Sequence, residues 1–86
     1  MKLVTDSITN QNAAQVVAAG QSAILAGDCV IDFSAVVRCD TAAVACLLAW
    51  MRLARARSRK LELLAVPKDL LSLATLYGVE ALIDGA

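Results

Sequence analysis

Histidine is absent from this chain, and with it the side chain that most often serves as a general base or metal ligand near neutral pH. The three cysteines, Cys29, Cys39 and Cys46, are odd in number and form no CxxC pair. That argues against a disulfide framework or a zinc site and for reduced, small apolar side chains. Net charge is also lacking: eight basic residues balance eight acidic ones. A general nucleic-acid binder would be strongly basic, so no nucleic-acid partner is expected. The longest uncharged apolar run, Ala42 to Met51, has ten residues, against about 20 needed to span a bilayer. The start of the chain carries Lys2, Thr5, Asp6 and Ser7 rather than the apolar core of a signal peptide. A cytoplasmic location without a membrane span is therefore expected. No Gly-rich phosphate loop or nucleophile elbow is present. The acidic residues Asp6, Asp28, Asp32, Asp40, Glu62, Asp69, Glu80 and Asp84 show no paired spacing suited to acid–base work. No catalytic residue, metal or cofactor is expected.

Apolar side chain is what the chain has in surplus. Hydrophobic residues make up 59% of it, mostly Ala, Val and Leu, and aromatics only 3%. Its 86 residues suffice for a single domain over 1–86. A domain of this size buries only roughly 60–65% of the surface its unfolded chain exposes. More apolar surface is present than one small core hides, which predicts a subunit with at least one apolar contact face.

Periodicity predicts alternating strands and helices. Lys2 to Thr5 reads as a short strand and Ile8 to Asn12 as a polar turn. Asn12 followed by Gln15 resembles a capping box, and Ala13, Val16, Val17, Gly20 and Ile24 follow at helical spacing up to a stop at Gly27. Cys29 to Phe33 is a β-branched strand candidate. A second helix is predicted from about Thr41 to Ser58, its buried stripe Val44, Leu47, Leu48 and Met51 with Arg55 at the end. Leu61 to Val66 reads as a strand. Pro67 suits a first helical turn, with Leu70, Leu71, Ala74 and Leu76-Tyr77 as a third apolar stripe. Gly78 stops that helix, and Val79 to Ile83 is an apolar tail expected to pack back. Alternation of this kind implies a mostly parallel sheet. Three strands leave an edge to protect, a second reason to expect a partner.

The densest polar signal is the stretch from Asp32 to Thr41, which leads from a strand into the long apolar helix. Asp40-Thr41 sits where backbone amides are unpaired and the helix dipole is positive. It reads either as a cap or as a docking or phosphorylation point. Two further features stay open on sequence. The cations Arg52, Arg55, Arg57, Arg59 and Lys60 complement a helix C-terminus, or meet lipid headgroups or an acidic partner. Trp50 is a core residue at the margin of the stripe, or an interface anchor.

Taken together, Asp32-x-Ser34-x-Val36, then Asp40-Thr41 opening a Leu-rich helix, a basic end, a Leu-rich strand and Leu73-Ala74-x-Leu76-Tyr77-Gly78-Val79 resemble a STAS domain, most closely of the MlaB-like branch. The resemblance implies an α/β fold, a small, mixed, mostly parallel sheet with helices packed on one side. It implies non-enzymatic work as the small subunit of a phospholipid-transport ABC complex that maintains lipid asymmetry. The partners would be the ABC ATPase subunit and, through it, a membrane permease, which places the chain at the cytoplasmic side of the inner membrane. Carried over, Asp40 and Thr41 are the central contacts, flanked by Arg38, Cys39 and Ala42. In the anti-sigma-factor antagonists, another STAS branch, the hydroxyl matching Thr41 is a phosphorylated serine, which makes phosphorylation of Thr41 the alternative. Two departures are visible. Ala42 and Ala43 stand where many members have glycine, giving a stiffer helix start that favours docking over phosphorylation. Members usually carry an extra N-terminal strand, where Met1 to Thr5 supplies only one. The sheet edge is thus expected to be more exposed, and a homodimer of the isolated chain stays open.

Overall fold

The computed structural model describes residues 1–79. Along the chain run β1 (Ser7–Ile8), α1 (Ala13–Leu25), β2 (Val30–Asp32), β3 (Arg38–Cys39), α2 (Thr41–Ala56), β4 (Glu62–Leu64) and α3 (Lys68–Leu76). The expected α/β class is found. The strands form two parallel pairs, β1 with β3 and β2 with β4. In the second pair Ile31 faces Leu63 and Asp32 faces Leu64. Backbone bonds from Glu62 to the Cys29 carbonyl and from Phe33 to the Leu64 carbonyl extend that ladder at both ends.

Alternation along a strand sends neighbouring side chains to opposite faces. Ile31, Phe33 and Leu61 are buried and Leu63 packs on them, whereas Glu62 and Leu64 are exposed. The β2–β4 pair therefore turns one face to the core. Phe33 meets Trp50 of α2 on that face, ring centroids 6.2 Å apart and tilted by 57°.

The core departs from the expected stripe of α2. Its buried positions are Ala43, Val44, Cys46, Leu47, Trp50 and Ala54, while Leu48 and Met51 are only half-buried and Arg55 is exposed. Trp50 draws the helix round because its indole is the largest apolar group available and finds a slot against α1. The indole is fully buried and its Nε1 donates to the Val17 carbonyl at 3.1 Å. A Cβ at Gly20 would lie 2.2 Å from that Nε1, so only glycine lets the two helices approach this closely. Trp50 is thus a core residue.

The N-terminal region differs most from expectation. The predicted strand at Lys2–Thr5 reduces to one parallel bridge, Lys2 with Asp32, flanked by bonds from Leu3 N to the Asp32 carbonyl and from Asp32 N to the Met1 carbonyl. The strand proper is Ser7–Ile8, partly inside the predicted turn; two residues are too few to show alternation. Asn12 stands at the N-cap of α1 without a capping bond from its side chain. Its Oδ1 instead accepts from Thr9 N at 2.9 Å, and its Nδ2 donates to the Ser7 carbonyl at 2.8 Å, latching the turn to β1.

Pro67 stands at the N-cap of α3. That helix buries Leu70 and Ala74 and leaves Leu71, Leu76 and Tyr77 exposed, a narrower stripe than expected. Gly27 and Gly78, at φ 100° and 70°, end α1 and α3 as predicted, each followed by an amide that reaches back into the last turn. Val79 packs on the core, and the rest of the predicted tail lies outside the described residues.

Candidate functional site at the start of α2

The loop between β2 and α2 is fixed at several points. Asp32 Oδ1 accepts from Ser34 N at 2.8 Å, turning the chain as it leaves the strand. The Asp6 carbonyl then accepts from both Val37 N (2.8 Å) and Arg38 N (3.2 Å). Arg38 and Cys39 pair with Ser7 and Ile8. Cys39 N also donates to Asp69 Oδ2 of α3 at 3.4 Å, so the loop is held from two sides.

Asp40 closes the structure. It is the N-cap of α2, in extended conformation, and its Oδ1 accepts from Ala42 N at 2.8 Å. Its Oδ2 accepts from Asn10 N at 3.2 Å, and its own amide donates to the Ile8 carbonyl at 3.1 Å. Both carboxylate oxygens are therefore engaged by backbone amides. That satisfies a helix-start amide and ties the turn before α1 to the start of α2.

The five expected contact residues fall together but differ in access. Arg38 and Thr41 are exposed; Cys39, Asp40 and Ala42 are half-buried. Ala43 behind them is buried in the core. Thr41 is the first residue of α2, and its hydroxyl makes no hydrogen bond among the described residues. Val37, 66% exposed, adds an apolar neighbour. Chemically the arrangement offers a rigid edge with one free hydroxyl, one guanidinium and an apolar flank.

The two thiols nearby are quiet. Burial, with the negative charges of Asp69 and Asp40, pushes the Cys39 thiol from 9.0 up to about 11. Burial, with a smaller contribution from Asp40 and against a backbone hydrogen bond, raises Cys46 to about 11 as well. Both stay protonated at neutral pH and make poor nucleophiles.

The five residues are neighbours in sequence, but the frame behind them is assembled from distant positions. Asn10 and Asp69 hold the edge through contacts spanning 30 residues, and Asn12 latches the turn beside Asn10 to β1. Only Asn12 carried a local signal, and its side chain acts on the turn behind it rather than on its own helix.

Residues 3–84 match the family model described as "Mlab, STAS domain". No curated protein and no solved structure gives a significant match.

Proposed function

The chain belongs to the MlaB-like STAS-domain family, and on that footing we propose that it is the non-catalytic subunit of a phospholipid-transport ABC complex. As a single domain over 1–86 it binds the ATPase subunit and, through it, a membrane permease. It thereby supports assembly and activity of a transporter that maintains outer-membrane lipid asymmetry. Its place is the cytoplasm, held at the inner membrane by the complex. No helix among the described residues is long and apolar enough to cross a membrane, in keeping with a peripheral role.

The observation that carries this reading is the division of labour between Asp40 and Thr41. The carboxylate is committed within the fold, while the neighbouring Thr41 is exposed, its hydroxyl without a hydrogen-bond partner among the described residues, at a helix start that Asp40 caps. Pre-ordered surfaces bind without a large ordering cost. Arg38, Cys39, Asp40, Thr41 and Ala42 form the contact, with Thr41 and Arg38 making the direct approach.

The exposure of Thr41 also suits a second reading, an anti-sigma-factor antagonist switched by phosphorylation there. A phosphate would stand beside the Asp40 carboxylate, a like charge, at an amide that Asp40 already caps. Docking is the better supported of the two.

A pull-down of the tagged chain from its own cells, with mass spectrometry of partners and of Thr41, tests the reading. Recovery of an ABC ATPase with a permease, with Thr41 unmodified and both partners lost in Thr41→Arg, is expected. Recovery of a kinase with phosphorylated Thr41 would replace it with the switch.

A further inference from the structure

The opposite end of α2 holds a second feature that docking at Thr41 does not use. Five of the chain's eight cations, Arg52, Arg55, Arg57, Arg59 and Lys60, fall within nine residues, and no carboxylate occurs between Asp40 and Glu62. All five are exposed. The ion pair among the described residues joins the Met1 ammonium to Asp28, and none of the five cations takes part in one.

The ordinary role for such residues is to answer the last carbonyls of the helix. Here backbone amides do that. Arg57 N bonds the Leu53 and Ala54 carbonyls, Ser58 N the Arg55 carbonyl and Arg59 N the Ala54 carbonyl, with Ser58 turned to φ 55°. The guanidinium and ammonium groups are left for another task.

A cleft of about 370 Å³ opens beside them, lined by Met51, Ala54, Arg55, Ser58, Arg59, Lys60 and Leu61. Three cations and a hydroxyl share its wall with apolar groups, Ala54 and Leu61 being buried and Met51 half-buried. A merely solvated charged face needs no such concavity. Arginine pairs in fork geometry with phosphate oxygens, lysine adds a point charge, and the apolar part suits a hydrocarbon stem.

The geometry points to this cleft as a binding site for a phosphate-type anion attached to an apolar group. That chemistry is carried both by soluble phosphoesters and by anionic phospholipid headgroups.

The test follows backbone amide resonances of the full chain during titration with hexyl phosphate, inorganic phosphate and, at matched ionic strength, sodium chloride. Hexyl phosphate should shift Arg55 and residues 58–61 saturably, inorganic phosphate should bind roughly tenfold more weakly, and chloride should leave them in place. Arg55→Glu/Arg59→Glu should weaken hexyl phosphate at least about tenfold, while Arg52→Glu, outside the cleft lining, changes it less than about twofold. Cosedimentation with phosphatidylglycerol-containing vesicles, against phosphatidylcholine alone, separates the sources. Vesicle binding lost in the double variant identifies a lipid headgroup; hexyl phosphate binding without it identifies a soluble phosphoester. A response that chloride reproduces, unchanged binding by a folded double variant, or vesicle binding without saturable hexyl phosphate binding overturns the site.

Discussion

Asp40 and Thr41 are adjacent, yet one works inward and the other outward. Removing the Asp40 side chain frees the amides of Ala42 and Asn10 together. Asp40→Ala should therefore cost about 1–2 kcal/mol, the upper part of the range for a lost N-cap, seen in urea as a lower midpoint with unchanged slope. Cys39 and Cys46 give a second residue-level prediction. Their thiols are raised from 9.0 to about 11 in the folded chain. The folded state holds these protons longer than the unfolded state does. The stabilisation is complete below about pH 9 and is lost as pH rises toward about 11. Melting temperature should fall across that window, and the fall should be shallower in Cys39→Ala/Cys46→Ala. At neutral pH both thiols should alkylate far more slowly in the native chain than in urea.

Among the elements, the contact of α1 with α2 turns on Gly20 beneath Trp50. Gly20→Ala would set a methyl carbon against a fixed indole ring. Overpacking of this kind costs about 1–3 kcal/mol, although alanine is the better helix former by roughly 1 kcal/mol. A net loss of stability is expected because the ring is also pinned by its bond to the Val17 carbonyl. Combining Gly20→Ala with Trp50→Leu should recover part of the loss, as a double-mutant cycle would show.

The same contact marks the limit of what the sequence told. The three helices were legible because their apolar spacing repeats over 9 to 16 residues. The start of α2 was legible because an Asx cap announces itself locally. The rotation of α2 was not, since its stripe depends on a glycine 30 positions earlier that makes room for Trp50. Nor was β1: its two residues carry no period, and its partner lies beyond a whole helix and strand. The candidate edge was found by residue type, while its supports, Asn10 and Asp69, were invisible because they act across the fold.

At the scale of the molecule, α2 links two unlike ends, an uncrowded hydroxyl at its start and a cationic cleft at its finish. The β2–β4 pair has one face uncovered among the described residues, with Glu62 and Leu64 exposed. Two carboxylates are held in place, Asp28 by the Met1 ammonium at the chain start and Asp32 by the Ser34 amide after β2. The Met1 ammonium and the Val30 amide hold Asp28 below its ordinary 3.8, and the Ser34 amide and hydroxyl do the same for Asp32. Their contribution is present above about pH 3.8 and is lost as pH falls through the lowered values. Acid unfolding of Asp28→Asn/Asp32→Asn should accordingly show a flatter dependence on pH than the wild type.

The proposed docking through Thr41 is tested most directly by titrating the purified chain into the proposed ATPase partner, comparing wild type, Thr41→Arg and Arg57→Glu, with the fold of each checked by circular dichroism. Thr41→Arg should retain the fold and bind at least roughly tenfold more weakly, a loss of about 1.4 kcal/mol or more, while Arg57→Glu, at the other end of α2, binds as wild type does. Wild-type affinity in a folded Thr41→Arg chain would contradict the assignment of this edge as the docking surface.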